Sequence, residues 1–99
     1  MTLITEKRGD DTAMIAGRLY AARVPAARQI LESLDGVATL DCTSLEYISS
    51  AGFTLLMETQ KRLSKDGGTL RLAGASRHLR DLLQFSGLET LFELTGAGK

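Results

Sequence analysis

The chain has 99 residues, with 12 Lys and Arg against 12 Asp and Glu, so its formal net charge at pH 7 is zero. A chain of this length supports one hydrophobic core, burying roughly 65% of its unfolded surface, and leaves no room for a second domain. Charge balance speaks against binding that neutralises phosphates or an anionic membrane surface, so neither nucleic acid nor membrane insertion is expected.

Hydrophobic residues make up 43% and charged residues 24%, a globular rather than a disordered composition. No stretch reaches the ~20 apolar residues of a membrane span; Cys42 to Met57, with Glu46 its one charge, is broken by Ser, Thr and Gly. Met1 to Arg8 carries no apolar core behind a positive charge, so no secretory signal is read there and the cytoplasm is the expected location. A single cysteine, Cys42, forms no internal disulfide and suits a reducing compartment.

In chain order, two short apolar runs, Leu3 to Arg8 and Ala13 to Leu19, flank Gly9-Asp10-Asp11 and predict a hairpin. Pro25 suits a first helical turn, and Val24, Ala27, Ile30, Leu31 and Leu34 recur at helical spacing until Gly36. Val37 to Cys42 is short and nearly continuously apolar, which predicts a central strand covered on both faces. Thr43 to Ser49 reads as a polar loop. A second helix follows Ser49-Ser50, with Phe53, Leu56, Met57 and Leu63 on its core face, and ends at Asp66-Gly67-Gly68. Thr69 to Ala73 alternates as a strand, Ser76 caps a third helix carrying Leu79, Leu82 and Leu83 inward, and Gly87 closes it. Leu91 to Leu94 predicts an edge strand, and Thr95 to Lys99 a frayed tail. Strand-helix-strand crossovers in this order imply an α/β fold with a largely parallel sheet.

Catalytic groups are scarce. His78, the one histidine, lies beside Arg77 and Arg80 with no second His, Cys pair or carboxylate at ligand or triad spacing, so it reads as a solvated surface residue and no metal or cofactor is expected. Gly67-Gly68 follows a helix and precedes no Lys-Ser or Lys-Thr, which argues for a turn rather than a phosphate loop. Cys42 reads as a small buried hydrophobe. Neither Ser49 nor Ser50 has the glycine two residues earlier that a nucleophile elbow needs.

The informative window runs from Asp41 through Thr43, Ser44 and Tyr47 to Ser49-Ser50-Ala51-Gly52-Phe53. A serine at this junction has a plain explanation as a helix N-cap, and that role is open to both Ser49 and Ser50. The alternative is a hydroxyl that is itself modified: a phosphate of about −1.5 to −2 charges at a helix N-terminus is compatible with the fold and changes what the surface binds.

Leu40 to Phe53 resembles the central motif of the STAS domain family, the anti-sigma factor antagonists of bacteria, and the likeness extends to Gly17-Arg18-Leu19, to Asp66-Gly67-Gly68 and to Ser86-Gly87-Leu88. The resemblance implies the STAS fold, a mixed, largely parallel sheet of four to five strands with three to four helices mainly on one side, spanning 1–99 as one domain. It implies a non-enzymatic partner switch. The unphosphorylated protein would bind an ATP-dependent anti-sigma serine kinase, phosphorylation would release it, and a serine phosphatase would act on the phosphorylated form, with no small-molecule substrate. The phosphoacceptor falls on Ser50 in preference to Ser49. The partner surface falls on Ser49, Ser50, Ala51, Gly52, Thr54, Leu55 and Glu58, with Leu55 off the core stripe and expected to be exposed. Asp41, Gly17 and Gly52 are the structural positions of the motif. Many members carry Asp where this chain has Ser49, and Ser or Thr where it has Ala51, so two adjacent hydroxyls stand here without an acidic neighbour. The second reading is a constitutive STAS scaffold subunit of a phospholipid-transport ABC complex, and a small enzyme or ligand-binding module comes last.

Overall fold

The computed structural model describes residues 3–9, 11–87 and 92–95. Among these residues, six strands and three helices follow in order: β1 (Leu3–Lys7), β2 (Thr12–Leu19), α1 (Val24–Glu32, entered through a 3-10 turn at Ala21–Arg23), β3 (Val37–Asp41), β4 (Leu45–Ile48), α2 (Ser50–Lys65), β5 (Thr69–Ala73), α3 (Arg77–Phe85) and β6 (Glu93–Thr95). The sheet order is β1-β2-β3-β5-β6, with β4 also paired to β2. β1 is antiparallel to β2, and all other pairings are parallel. This is the mixed, largely parallel sheet expected from the crossovers, with one strand more than the four to five anticipated.

The additional strand is β4, in the segment read as a polar loop. Its burial does not alternate: Leu45 and Ile48 are buried while Glu46 and Tyr47 both face out. The cause lies in the pairing. Leu45 sits opposite Gly17 and Tyr47 opposite Arg18, so the register slips by one residue at the Gly17/Arg18 step and Glu46 is left over. A bulge of this kind erases the period-2 signal by which a strand is recognised in sequence. Gly17 itself adopts φ +94°, a backbone conformation that side chains disfavour. β2 therefore serves two partners in succession: Thr12–Met14 pair with β3, and Gly17–Leu19 with β4.

The core lies on one face of the sheet. Ala13, Ile15 and Leu19 from β2, Ala38 and Leu40 from β3, and Leu70 and Leu72 from β5 are all buried together with Leu31 of α1, Leu56 and Leu63 of α2, and Leu79 and Leu83 of α3. The residues that alternate with these positions, among them Met14, Ala16 and Arg18 of β2, form the opposite face and stay at least partly open. β3 thus departs from the expectation of cover on both sides: Val37 is exposed, and Thr39 and Asp41 are only half-buried. Helices over a single face require apolar residues only at alternate strand positions. The open face carries exposed ion pairs, Arg8 with Asp41 at 3.2 Å and Arg71 with Glu93 at 3.0 Å.

Ser76 caps α3 as expected, its Oγ accepting from Leu79 N–H at 3.2 Å. Thr95 belongs to β6 rather than to a frayed tail, because it pairs with Ala73 and its carbonyl accepts from Gly74 N–H at 2.9 Å. Asp10 of the predicted hairpin turn, Leu88 and Leu91, and the rest of the expected tail lie outside the described residues.

Candidate functional site

The site is assembled where β4 runs into α2. Asp41 closes β3, and its carboxylate accepts from Thr43 N–H at 3.0 Å, fixing the turn that steps the chain from β3 to β4. Hydrogen bonds from the Thr43 hydroxyl and backbone, together with the nearby Arg8 guanidinium, hold the Asp41 carboxyl below its ordinary range. Ser44 carbonyl then accepts from Gly17 N–H at 2.9 Å, locking the start of β4 to β2. At the far end, Ser49 N–H donates to Leu19 carbonyl at 2.8 Å. The strand end is thus tied to β2 on both sides of the bulge.

Ser49 is the N-cap of α2: its backbone is extended, and its Oγ accepts from Gly52 N–H at 3.2 Å. That is the residue two to three places into the helix which a capping hydroxyl satisfies. Ser50, the first helical residue, is exposed and takes no part in the cap. Gly52 lies where α2 crosses the sheet, and a Cβ there would come within 2.8 Å of Leu19 Cγ and 3.0 Å of Ile48 Cγ1. The glycine lets the first turn of α2 rest directly on β2 and β4.

A groove of about 360 Å³ opens beside this turn, bounded by Tyr47 of β4, by Ser50, Phe53 and Thr54 of α2, and by His78 and Leu82 of α3. The rings of Tyr47 and His78 stack with centroids 6.3 Å apart and planes 17° from parallel. The Arg18 guanidinium lies 5.1 Å from the centre of the Tyr47 ring, within cation–π range. Tyr47, His78 and Arg18 were not foreseen as site residues. Nothing in the local sequence links them, because the contact depends on β4 lying beside both β2 and α3.

The expected partner residues divide into three groups. Ser49, Ser50 and Thr54 come together along the groove, and Ala51 is exposed on the same turn. Glu58 points elsewhere, pairing with Arg28 of α1 at 3.0 Å. Gly52 and Leu55 face inward. For Leu55 this corrects the expectation of exposure: only 2% of it is accessible, since it fills the seam between α2 and α1 near Arg28 and Glu32. Two packing partners, sheet and α1, widen the buried stripe of α2 beyond the positions a single partner would bury.

Cys42 is buried, with its thiol pushed up to about 12 by loss of solvation and by the Asp41 carboxylate. It is a packing residue. Among the described residues no group of His, Cys, Asp and Glu is arranged to hold a metal ion, and no helix is long and apolar enough to cross a membrane.

A family model described as "Mlab, STAS domain" matches residues 4–95. The chain belongs to the STAS domain family. Among solved structures, this STAS domain is similar to the anti-sigma factor antagonist SpoIIAA in its unphosphorylated form, with a TM-score of 0.73 and 22% identity over 94% of this chain and 87% of that one. The phosphorylated form of the Bacillus cell fate determinant SpoIIAA matches at TM-score 0.70 and 21% identity, over 94% and 90% of the two chains. An anti-sigma factor antagonist from Mycobacterium paratuberculosis matches at TM-score 0.75 and 20% identity, over 95% and 84%. At these identities the likeness establishes a shared STAS fold. No curated protein sequence matches the STAS domain described here.

Proposed function

We propose that this STAS domain is a cytoplasmic anti-sigma factor antagonist that works by switching partners and carries out no chemistry of its own. Unphosphorylated, it binds an ATP-dependent serine kinase that doubles as anti-sigma factor; a phosphate on Ser50 releases it, and a serine phosphatase restores it. The observation that carries this reading is the division of labour between the two serines: Ser49 is occupied as the cap, and the Ser50 hydroxyl stands exposed at the rim of the groove. The family membership and the likeness to SpoIIAA, described in both unphosphorylated and phosphorylated forms, support it.

The energetics favour a switch of binding over a switch of folding. At the first turn of a helix a phosphate is stabilised by ~0.3 to 1 kcal/mol through the helix dipole. Pressed against a partner without a basic counterpart, the same dianion costs several kcal/mol in desolvation. The fold tolerates the modification and the complex does not.

The test is incubation with the cognate anti-sigma kinase and ATP, followed by intact-mass analysis and peptide mapping. One phosphate on Ser50 is expected, with Ser50→Ala binding the kinase constitutively and Ser50→Asp binding it tenfold or more weakly. Equal binding by both variants would overturn the proposal and point to the constitutive scaffold.

A further inference from the structure

We propose that the groove between the start of α2 and the first turn of α3 is an internal receiving site for phosphate on Ser50, with the His78 imidazole as its cationic ligand. The proposal rests on Ser50 as phosphoacceptor.

Ser50 and His78 line the same groove from opposite helices. Among the described residues, His78 is the one lining side chain able to carry a positive charge, and no carboxylate lines the groove with it. The other charged groups of α3 face away: Arg77, Arg80 and Asp81 border a separate cleft near Leu94. From β4 the group facing His78 is Tyr47, whose stacked ring restricts the imidazole. From α2 the facing side chains are Ser50 and Thr54, both uncharged in the unmodified protein. From β2, Arg18 lies against Tyr47 and adds positive potential near the groove without bordering it. Among the described residues, a dianion on Ser50 would therefore meet one imidazole able to take up a proton, itself exposed, and no carboxylate lining the groove.

A phosphoserine dianion and an imidazolium lining one groove each favour the charged form of the other. The resulting charge-assisted hydrogen bond places the phosphate inside the groove. Phosphorylation then acts twice on the docking surface: it adds charge, and it fills the apolar recess a partner side chain would otherwise enter.

The experiment uses the full chain with phosphoserine installed at position 50 during translation, so that no kinase is required. Imidazole and phosphorus NMR titrations follow His78 and the phosphate. The expected result is a His78 midpoint at least about half a pH unit higher in the phosphorylated chain than in the unmodified one. The phosphate midpoint should rise by a similar amount in His78→Gln and stay in place in Arg77→Gln. An unchanged His78 midpoint, or an Arg77→Gln effect as large as that of His78→Gln, would overturn the proposal. Failure of a kinase to label Ser50 would instead overturn the partner-switching reading, because this measurement does not depend on it.

Discussion

Ser49 and Ser50 are joined by one peptide bond and their hydroxyls are chemically alike, yet one accepts the Gly52 amide proton and the other stands exposed at the groove. Removing the first leaves an orphan helix donor, whereas removing the second leaves nothing unsatisfied. Ser49→Ala is therefore expected to lower stability by about 1 kcal/mol. Ser50→Ala should stay within about 0.5 kcal/mol of the parent. Urea unfolding of the two variants side by side checks both, and a larger loss for Ser50→Ala would reverse the assignment of the cap. The sequence narrows the cap to this pair but not to one member, because a cap is defined by backbone angles for which two adjacent serines are equal candidates. The same limit applies to Leu55, whose spacing in α2 shows where it points but not that α1 waits there.

At the scale of elements, what was legible followed from regular periods. α1, α2 and α3 announce themselves by apolar recurrence and by Pro25, Ser76 and the closing glycines, β2 by an apolar run beside a Gly-Asp turn, and β5 by alternation. β4 does not, because its two buried residues are separated by a bulge that belongs to the pairing with β2 and is invisible in β4 alone. The groove shares that fate, being a product of β4, α2 and α3 meeting. The entry of α2 depends on a close approach rather than on propensity. Gly52→Ala places a methyl group 2.8 Å from Leu19 Cγ, against side chains that are themselves buried and confined. We expect a loss of about 1 to 3 kcal/mol in chemical denaturation, despite the higher helix propensity of alanine. A neutral or stabilising effect would mean that α2 lifts off the sheet without cost.

For the whole molecule, the buried apolar side chains of the strands feed one core, and Cys42 sits inside it as a built-in reporter. Its thiol is expected to resist alkylation in the native protein and to react at the rate at which the molecule opens, as checked by mass spectrometry against denaturant concentration. The pH dependence has a definite sign. The folded thiol is raised to about 12 from an ordinary 9.0, so its contribution to stability is complete below pH 9 and is lost as pH climbs toward 12. The six ion pairs described involve side chains in contact with solvent and contribute little to that stability. More consequential is how α2 is moored. Its first turn rests through Gly52 on Leu19 and Ile48. Further along, Gln60 Oε1 accepts Leu70 N–H at 2.6 Å, and the Arg62 guanidinium donates to the Leu31 and Leu34 carbonyls at 3.0 and 2.9 Å. A rod fastened near both ends does not slide or turn when one surface atom is esterified. A mark on Ser50 would be stored without any rearrangement of the helix that bears it. Under the proposed switching, the lifetime of that stored state would be set by how fast the phosphate ester is made and hydrolysed rather than by any relaxation of the chain, and the domain would serve as a one-bit memory written and erased by other proteins.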